Sequence, residues 1–144
     1  ASYEGLTGGI VAQHLQEAAG PQFLQGTVGR EEALLRRVLS AGGSASKSDS
    51  QYGDLKRDGA ALADALANAV KVESGADLGM AVHSVPAEGA ATENLSSGMT
   101  YIAVSYQGKF TRRSYNFAGP GLPDRTRSAL SALQLLRVTL DHGG

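Results

Sequence analysis

The start of the chain contains the residue types best suited to binding chemistry. Thr7, Gly8 and Gly9 stand directly before an apolar segment whose spacing predicts a helix over residues 10–19. Threonine can cap such a helix, and the two glycines leave its first backbone N–H groups accessible. Those N–H groups and the positive end of the helix dipole favour an anion, such as a phosphate or a carboxylate. A plain helix cap with a tight entry is the commoner structure, so both interpretations stand.

A second candidate site lies at His83, near the end of an apolar stretch over residues 77–85. This stretch is apolar on both faces, which predicts a strand covered on both sides, and ligands of open α/β sheets bind at the carboxyl ends of such strands. Ser84 follows, and Glu88 and Glu93 come in the next loop, so a Ser/His/Glu catalytic set is conceivable. Adjacent strand residues point to opposite faces, however, which favours a histidine that is simply hydrogen-bonded to a loop.

Residue composition limits the other chemistries. The chain has 144 residues and no cysteine, which excludes disulfides, thiol catalysis and thiolate zinc sites and fits a cytoplasmic protein. His14 lies on the apolar face of the first predicted helix, where a core or interface role is expected, and His142 lies in a tail. These histidines lack the spacing of metal ligands, so we predict no metal and no cofactor.

Charge and hydropathy argue against nucleic-acid and membrane partners. The formal net charge is -1, and no apolar run approaches the ~20 residues that a membrane span needs. One group of basic residues near the end of the chain can form a phosphate-binding patch, although a solvated charged face is the simpler interpretation. The group consists of Lys109, Arg112, Arg113, Arg125 and Arg127.

Strand and helix patterns alternate along the chain. Helical spacing recurs over residues 31–40 and 58–71, and strand-like stretches cover residues 23–29 and 77–85. This alternation predicts an α/β fold, a three-layer α/β/α sandwich with a mixed sheet, in a single domain over residues 1–144. The Gly/Ser-rich stretch 41–54 has no period and is predicted as a flexible loop.

The last third of the chain predicts a hairpin followed by a helix. Residues 99–107 and 109–117 are strand-like and joined at Gln107 and Gly108, a join short enough for an antiparallel hairpin. Asp124 is predicted to cap the final helix. Its expected core stripe consists of Leu130, Leu133, Leu136 and Leu140.

Several stretches, taken in order, resemble the C-terminal domain of the CinA family of competence/damage-inducible proteins. EGLTGG at residues 4–9 resembles the family's Glu-Ser-Cys-Thr-Gly-Gly motif, and GMTYIAVSYQG at residues 98–108 resembles its GxVYIAV strand. The closing helix matches residues 122–140. The resemblance implies an α/β/α sandwich and a serine amidohydrolase that converts nicotinamide mononucleotide to nicotinic acid mononucleotide and ammonia. It also implies a homo-oligomer.

The residues that carry the family's chemistry are changed in this sequence. Gly5 stands where the motif has its nucleophilic serine, and glycine has no oxygen with which to form an acyl-enzyme. Arg30 and Leu35 stand at the tyrosine and lysine positions of the family's Tyr-Ser-Asn-x-x-Lys run, which is thought to activate that serine. The glycines of a third motif are largely replaced in residues 82–89. We therefore predict an inactive member that acts as a binding or assembly module.

A ligand is still expected at the opening motif. We predict that Glu4, Thr7, Gly8 and Gly9 hold an anionic mononucleotide, with His83 as a further ligand-binding candidate.

Two other functions stay open at this stage. One is an active amidohydrolase that uses a substitute hydroxyl at Ser2 or Thr7. The other is a structural self-association domain. The family also has a helix and a strand before its serine motif, whereas this sequence starts almost at the motif, so we expect either a chain that is cut at that point or a sheet that lacks this strand.

Overall fold

The computed structural model describes residues 1–40, 55, 58–85, 98–116 and 121–143. The strands are β1 Ser2–Glu4, β2 Gly26–Val28, β3 Leu78–Ser84, β4 Thr100–Tyr106 and β5 Lys109–Tyr115. The helices are α1 Ile10–Ala19, α2 Glu31–Ser40, α3 Gly59–Ser74 and α4 Leu122–Gly143, with a short 3-10 turn at Gly20–Gln22. The predicted loop 41–54 lies outside the described residues, as does most of the connection between β3 and β4.

The strands form one mixed sheet in the order β2-β1-β3-β4-β5. β1 runs parallel to β2 and β3, whereas β3, β4 and β5 are successively antiparallel. Tyr3 in β1 pairs with Thr27 on one side and with Ala81 on the other. The expectation of a sheet that lacks the strand before the opening motif is wrong, because a strand is present at Ser2–Glu4, in the interior of the sheet. Its short length suffices because both of its edges are hydrogen-bonded.

Helices cover both faces of the sheet and make it the middle of three layers, as predicted. α2 and α3 pack on one face, where Leu35 and Leu66 are buried against Ala81. α1 and α4 pack on the other face, where Val11 and Leu135 are buried against Met80, Val82 and their neighbours. Because successive strand residues point to opposite faces, each central strand contributes to both halves of the core.

The α3 layer lies very close to the sheet. A Cβ atom added at Gly79 would lie 2.0 Å from the carbonyl oxygen of Ala67, so only glycine permits this helix to approach β3. α3 begins at an aspartate cap, in which Asp58 Oδ1 accepts hydrogen bonds from the N–H groups of Ala60 and Ala61. The helix ends at Ser74, three residues beyond the predicted end at residue 71, and Gly75 in the left-handed region is its C-cap.

Two predictions about α4 are wrong. The helix begins at Leu122, so Asp124 lies inside its first turn and does not cap it. Pro123 suits a first turn because its fixed φ is helical and its missing N–H is not needed there.

The predicted leucine stripe of α4 is wrong for two of its four residues: Leu133 and Leu136 pack against the core, whereas Leu130 and Leu140 do not. Leu130 and Leu140 are 52% and 47% exposed, whereas Ala129, Ala132 and Leu135 are buried against the sheet. The small side chains of Ala129 and Ala132 let this helix lie close to the strands. Leu130 and Leu140 lie on other sides of the helix and remain exposed. No helix in the described part of the chain combines the length and hydropathy that crossing a membrane requires.

Candidate functional site

The candidate site lies where the parallel strands end. β1, β2 and β3 run in the same direction, so the segments that follow Glu4, Val28 and Ser84 leave the sheet at one edge. We call this the carboxyl edge of the sheet. Ligands of open α/β sheets bind at this kind of edge, which makes its side chains the first to consider.

The Glu4 carboxylate occupies the start of α1. Its Oε1 accepts hydrogen bonds from the Thr7 hydroxyl at 2.7 Å and from the N–H groups of Gly9 and Val11, both at 3.0 Å. Its Oε2 accepts a hydrogen bond from the N–H of Ala12 at 2.7 Å. Glu4 is fully buried. The anion that this helix start favours is thus supplied by the chain itself.

The prediction that Thr7 caps α1 is wrong. Gly9 is the N-cap residue, and no side chain of that residue takes part. Gly8 and Gly9 have φ angles of 64° and 111°, a left-handed path that favours glycine and carries the Thr7 side chain away from the helix axis. The Thr7 hydroxyl donates to Glu4, and the Thr7 carbonyl accepts from the N–H of Ile10 at 3.4 Å.

The hydrogen bonds at the start of α1 limit how the predicted mononucleotide could bind there. The N–H of Gly8 donates to the Gly5 carbonyl, and the next N–H groups donate to Thr7 and Glu4. An external phosphate would have to replace the Glu4 carboxylate to reach the N–H groups of Val11 and Ala12. Ligand binding by Glu4, Thr7, Gly8 and Gly9 stays a prediction.

Gly5 lies beside the Tyr3 side chain and the Gly29 carbonyl, and we call this place the Gly5 corner. The Tyr3 hydroxyl donates to the carbonyl oxygen of Gly29 at 2.8 Å. A Cβ atom added at Gly5 would lie 3.1 Å from that hydroxyl and 3.5 Å from that carbonyl oxygen. The φ angle of Gly5 lies outside the left-handed region, so the neighbouring tyrosine, and not the backbone, disfavours a side chain here.

Sequence reasoning did not single out Tyr3. Its position one residue before Glu4 in a strand predicts that the two side chains point to opposite faces, but not what the phenol reaches. Tyr3 is 1% exposed and belongs to the core beneath α2 and α3.

The other two changed positions offer no substitute for the family's reactive groups. Arg30 lies two residues after the end of β2 and is exposed to solvent. Leu35 is 1% exposed and packs in the same core cluster as Tyr3 and Leu66. A side chain at position 35 points into the core, and leucine there can neither accept nor donate a proton.

His83 lies at the carboxyl end of β3 and is 8% exposed. Burial lowers the pKa of His83 below its ordinary value, and the nearby Glu31 carboxylate opposes this shift. Ser84 points to the other face, where its hydroxyl is 2.7 Å from that of Thr100. The structure therefore keeps His83 and Ser84 apart, as predicted. Glu88 and Glu93 lie outside the described residues.

Three of the five basic residues of the predicted patch contact other groups of the chain. Arg112 pairs with Asp64 of α3, and Arg127 lies 3.7 Å from Asp124 within α4. Arg125 instead reaches the opening motif, where its Nη2 is 3.4 Å from the Thr7 carbonyl oxygen. Its buried Nε has no partner among the described residues.

The residues that the structure describes contain no cluster of three or more histidine, aspartate or glutamate side chains able to hold a metal ion.

A mixed α/β/α sandwich with a glycine loop at its carboxyl edge defines the class of this protein. The family described as the CinA C-terminal domain matches residues 1–140, and the chain therefore belongs to that family. CinA-like proteins from Geobacter sulfurreducens and Syntrophotalea carbinolica are 28% and 29% identical to it, over 95% and 96% of the chain. Those matches cover only 32% and 33% of the two relatives, so the chain spans about a third of their length.

Solved structures of the CinA superfamily share the fold. A competence-damaged protein (CinA) superfamily protein from Klebsiella pneumoniae superposes with a TM-score of 0.71 at 19% identity, covering 98% of this chain and 86% of its own. A competence/damage-inducible protein from Agrobacterium tumefaciens gives 0.67 at 23% identity, with coverages of 95% and 82%. The α/β class and mixed sheet predicted from the sequence are confirmed by these structures.

Proposed function

We propose that this domain is a non-catalytic member of the CinA C-terminal domain family and acts as a binding or assembly module. The observation that carries the proposal is the corner around Gly5. The position of the family's nucleophile has no side chain, and the Tyr3 hydroxyl beside it is already donated to Gly29. Acyl transfer requires a nucleophilic oxygen next to a base, and the described residues around Gly5 offer no such pair, which supports the proposal.

The substitute hydroxyls are poorly suited to attack a substrate. Thr7 donates its hydroxyl proton to Glu4 and is 1% exposed. Ser2 is fully buried in β1, so a bound carboxamide could not reach its oxygen. The active amidohydrolase is therefore the weaker candidate, and it becomes an outcome of the test below.

The test is ammonia release from nicotinamide mononucleotide. We expect no release above the rate without protein, while a family member that retains the motif serine serves as the positive control. Release that disappears in Thr7→Val, which removes the hydroxyl but keeps the side-chain shape, would overturn the proposal and identify Thr7 as the nucleophile. The Gly5→Ser variant is expected to remain inactive, because Leu35 still replaces the family's lysine.

A thermal-shift titration separates binding from turnover. A ligand that binds only the folded state raises the melting temperature by mass action. We expect nicotinamide mononucleotide to raise it and nicotinamide riboside, which lacks the phosphate, to leave it unchanged. Equal curves for both compounds would remove the anionic mononucleotide as a ligand and leave assembly as the function.

A further inference from the structure

One edge of the sheet is a long, exposed strand. β5 has seven residues and lies at the end of the strand order, where it pairs with β4. The other edge strand, β2, has only three residues. Among the described residues, no further strand pairs with β5. An edge strand of this length presents unpaired backbone groups to which another extended chain can hydrogen-bond.

The hairpin turn determines which backbone groups of β5 point outward. Gln107 and Gly108 have φ angles of 53° and 76°, as a two-residue type I′ turn requires. Tyr106 and Lys109 flank this turn and therefore form a hydrogen-bonded pair. Such pairs alternate with non-hydrogen-bonded pairs along an antiparallel ladder, so every second residue of β5 directs its N–H and carbonyl groups away from the sheet. These outward residues are Phe110, Arg112 and Ser114.

A pocket of about 310 Å³ lies beside this edge, between β5 and the first half of α3. It is lined mainly by Ala60 and Ala63 of α3, Tyr101 of β4, and Arg112 and Ser114 of β5. Ser114 pairs with Tyr101 and therefore faces the same side of the sheet, and its small side chain is exposed. A side chain opposite Ser114 on an added strand can thus enter the space between the sheet and α3.

The charges of β5 indicate what kind of chain can pair with it. The strand carries three cations and no anion. Arg112 is held by Asp64 of α3 and lies over the Phe110 ring, 5.7 Å from its centroid. Lys109 and Arg113 are exposed and form no ion pair within the described part of the chain. Because side chains alternate along a strand, these two lie on the side of the sheet opposite to Arg112.

These charges disfavour a second copy and favour an acidic partner. Two β5 strands side by side would bring together two strands that carry cations and no anion, and like charges destabilise cross-strand pairs. Charged side chains on an edge strand commonly prevent pairing of this kind. An extended chain with carboxylates four residues apart would instead place one opposite Lys109 and the other opposite Arg113.

We propose that the β5 edge binds an extended acidic segment of another protein, which adds to the sheet as a further strand. Its acidic residues lie opposite Lys109 and Arg113, and its apolar residues lie on the α3 side, one of them in the pocket beside Ser114. Backbone hydrogen bonds supply the affinity of such strand addition, and the alternate side chains supply its specificity. This inference rests on the proposed binding function and names its surface and the class of its partner.

A short peptide with the matching pattern tests the proposal. The probe is fluorescein-labelled Thr-Leu-Glu-Val-Thr-Val-Glu, and its fluorescence anisotropy is followed as the whole domain is added. The two glutamates of the peptide have the spacing of Lys109 and Arg113. We expect saturable binding that weakens as salt is raised, because salt screens the attraction between exposed charges. The same peptide with lysine in place of both glutamates should bind at least about tenfold more weakly.

Methylation of the peptide backbone distinguishes strand addition from simple attraction between charges. In the antiparallel alignment, the central valine lies opposite Arg112 and directs its N–H towards β5, whereas the threonine that follows it directs its N–H away. Methylation of the valine nitrogen should weaken binding at least about tenfold, because it removes a hydrogen bond and blocks close approach of the strands. Methylation of the threonine nitrogen should leave the affinity unchanged.

Charge reversal on the protein tests the same surface. Arg113→Glu should weaken binding of the acidic peptide at least about tenfold and should strengthen binding of the lysine peptide. Arg137→Glu, on the exposed side of α4, is the matched control and should leave both affinities unchanged.

A proline on the edge strand provides a second variant. Ser114→Pro removes an outward N–H, a change that edge strands tolerate, whereas Ser114→Ala keeps that N–H. We expect weaker peptide binding for the proline variant alone. Far-ultraviolet circular dichroism and the melting temperature show whether each variant is folded. If Ser114→Pro does not fold, the methylated peptides and Arg113→Glu decide the question.

The outcomes distinguish this inference from the proposed function. No saturable binding of the acidic peptide, or equal affinities for the acidic and lysine peptides, would overturn the β5 surface and leave the non-catalytic assignment standing. Binding that survives both methylation of the central valine and Arg113→Glu would also overturn it, because the peptide would then lie elsewhere on the protein. Ammonia release by the unchanged protein would overturn the non-catalytic assignment and leave the β5 surface standing.

Discussion

The two ends of the sheet differ in whether the groups that could bind a ligand already have partners within the chain. At the carboxyl edge, the N–H groups at the start of α1 donate to Glu4, and the Tyr3 hydroxyl donates to Gly29. At the amino end, an apolar cavity borders Phe23 and Met80, and an apolar groove adjoins it between α1 and α4. Neither is covered by other side chains of the described residues. At the end where the resemblance places the family's chemistry, these groups already have partners within the chain, whereas the opposite end has an open apolar surface.

If the domain is non-catalytic as proposed, this difference has a physical reason. Polar groups of a catalytic corner must be satisfied once substrate no longer satisfies them, because an unpaired buried polar group is costly. An apolar groove carries no such requirement and can remain open until a partner covers it. Four changes to the protein test this contrast, and they are given from the largest expected effect to the smallest.

Glu4→Ala should have the largest effect. It removes the acceptor of three backbone N–H groups and of the Thr7 hydroxyl, and those donors remain where water has little access. We expect the free energy of unfolding to fall by about 3 kcal/mol or more. Urea denaturation measures it, and Glu32→Gln on the exposed face of α2 is the control, with a loss of about 0.5 kcal/mol or less. Equal losses of unfolding free energy in the two variants would show that the hydrogen bonds of the Glu4 carboxylate do not stabilise this edge of the sheet.

Gly5→Ser should destabilise the protein by about 1–2 kcal/mol, because its Cβ would crowd the Tyr3 hydroxyl. Tyr3→Phe should cost about 1 kcal/mol through the lost hydrogen bond to Gly29. The double variant should cost less than the sum of the two, since removing the hydroxyl also removes the crowding. If the loss in the double variant equals the sum of the two single losses, Gly5 and Tyr3 do not interact energetically.

Leu136→Ala should cost only about 1 kcal/mol, because this side chain already borders open space. The matched change Leu66→Ala, in the closed layer beneath α3, should cost about 3 kcal/mol. Both values are measured by urea denaturation under the same conditions. A Leu136→Ala cost equal to that of Leu66→Ala would show that the groove side is as closed as the other layer.

His83 should make stability fall as the solution becomes acidic. Its pKa in the folded protein is lowered, so the unfolded chain takes up the proton first as pH falls through about 6.5. Stability is therefore full above that pH and declines below it, until the pKa of the folded state is passed. Melting temperatures at pH 7.5, 6.5 and 5.5 should fall less steeply for His83→Gln than for the unchanged protein. Parallel profiles would contradict a buried neutral histidine.

Local patterns predicted most of the fold correctly. The helix over 10–19, the helix over 31–40 and the hairpin all appear where periodicity and turn residues place them, with the ends of the hairpin strands shifted by at most two residues. These elements depend on side-chain spacing and on glycine within a few residues, which a single sequence contains in full. α4 shows the limit, because its apolar residues form two stripes, and only the sheet selects the one that faces the core.

The sequence by itself determined the helices and strands, the absence of thiol chemistry and the glycine at position 5, where the resemblance places a nucleophilic serine. These depend on residue identity and on neighbours along the chain. Only the tertiary structure decided that Glu4 closes the start of α1, that Tyr3 reaches Gly29, and that the leucines of α4 border a groove. Each of these contacts is set by how the chain packs around the sheet, because a side chain's reach depends on backbone turns and on which neighbours already occupy the core.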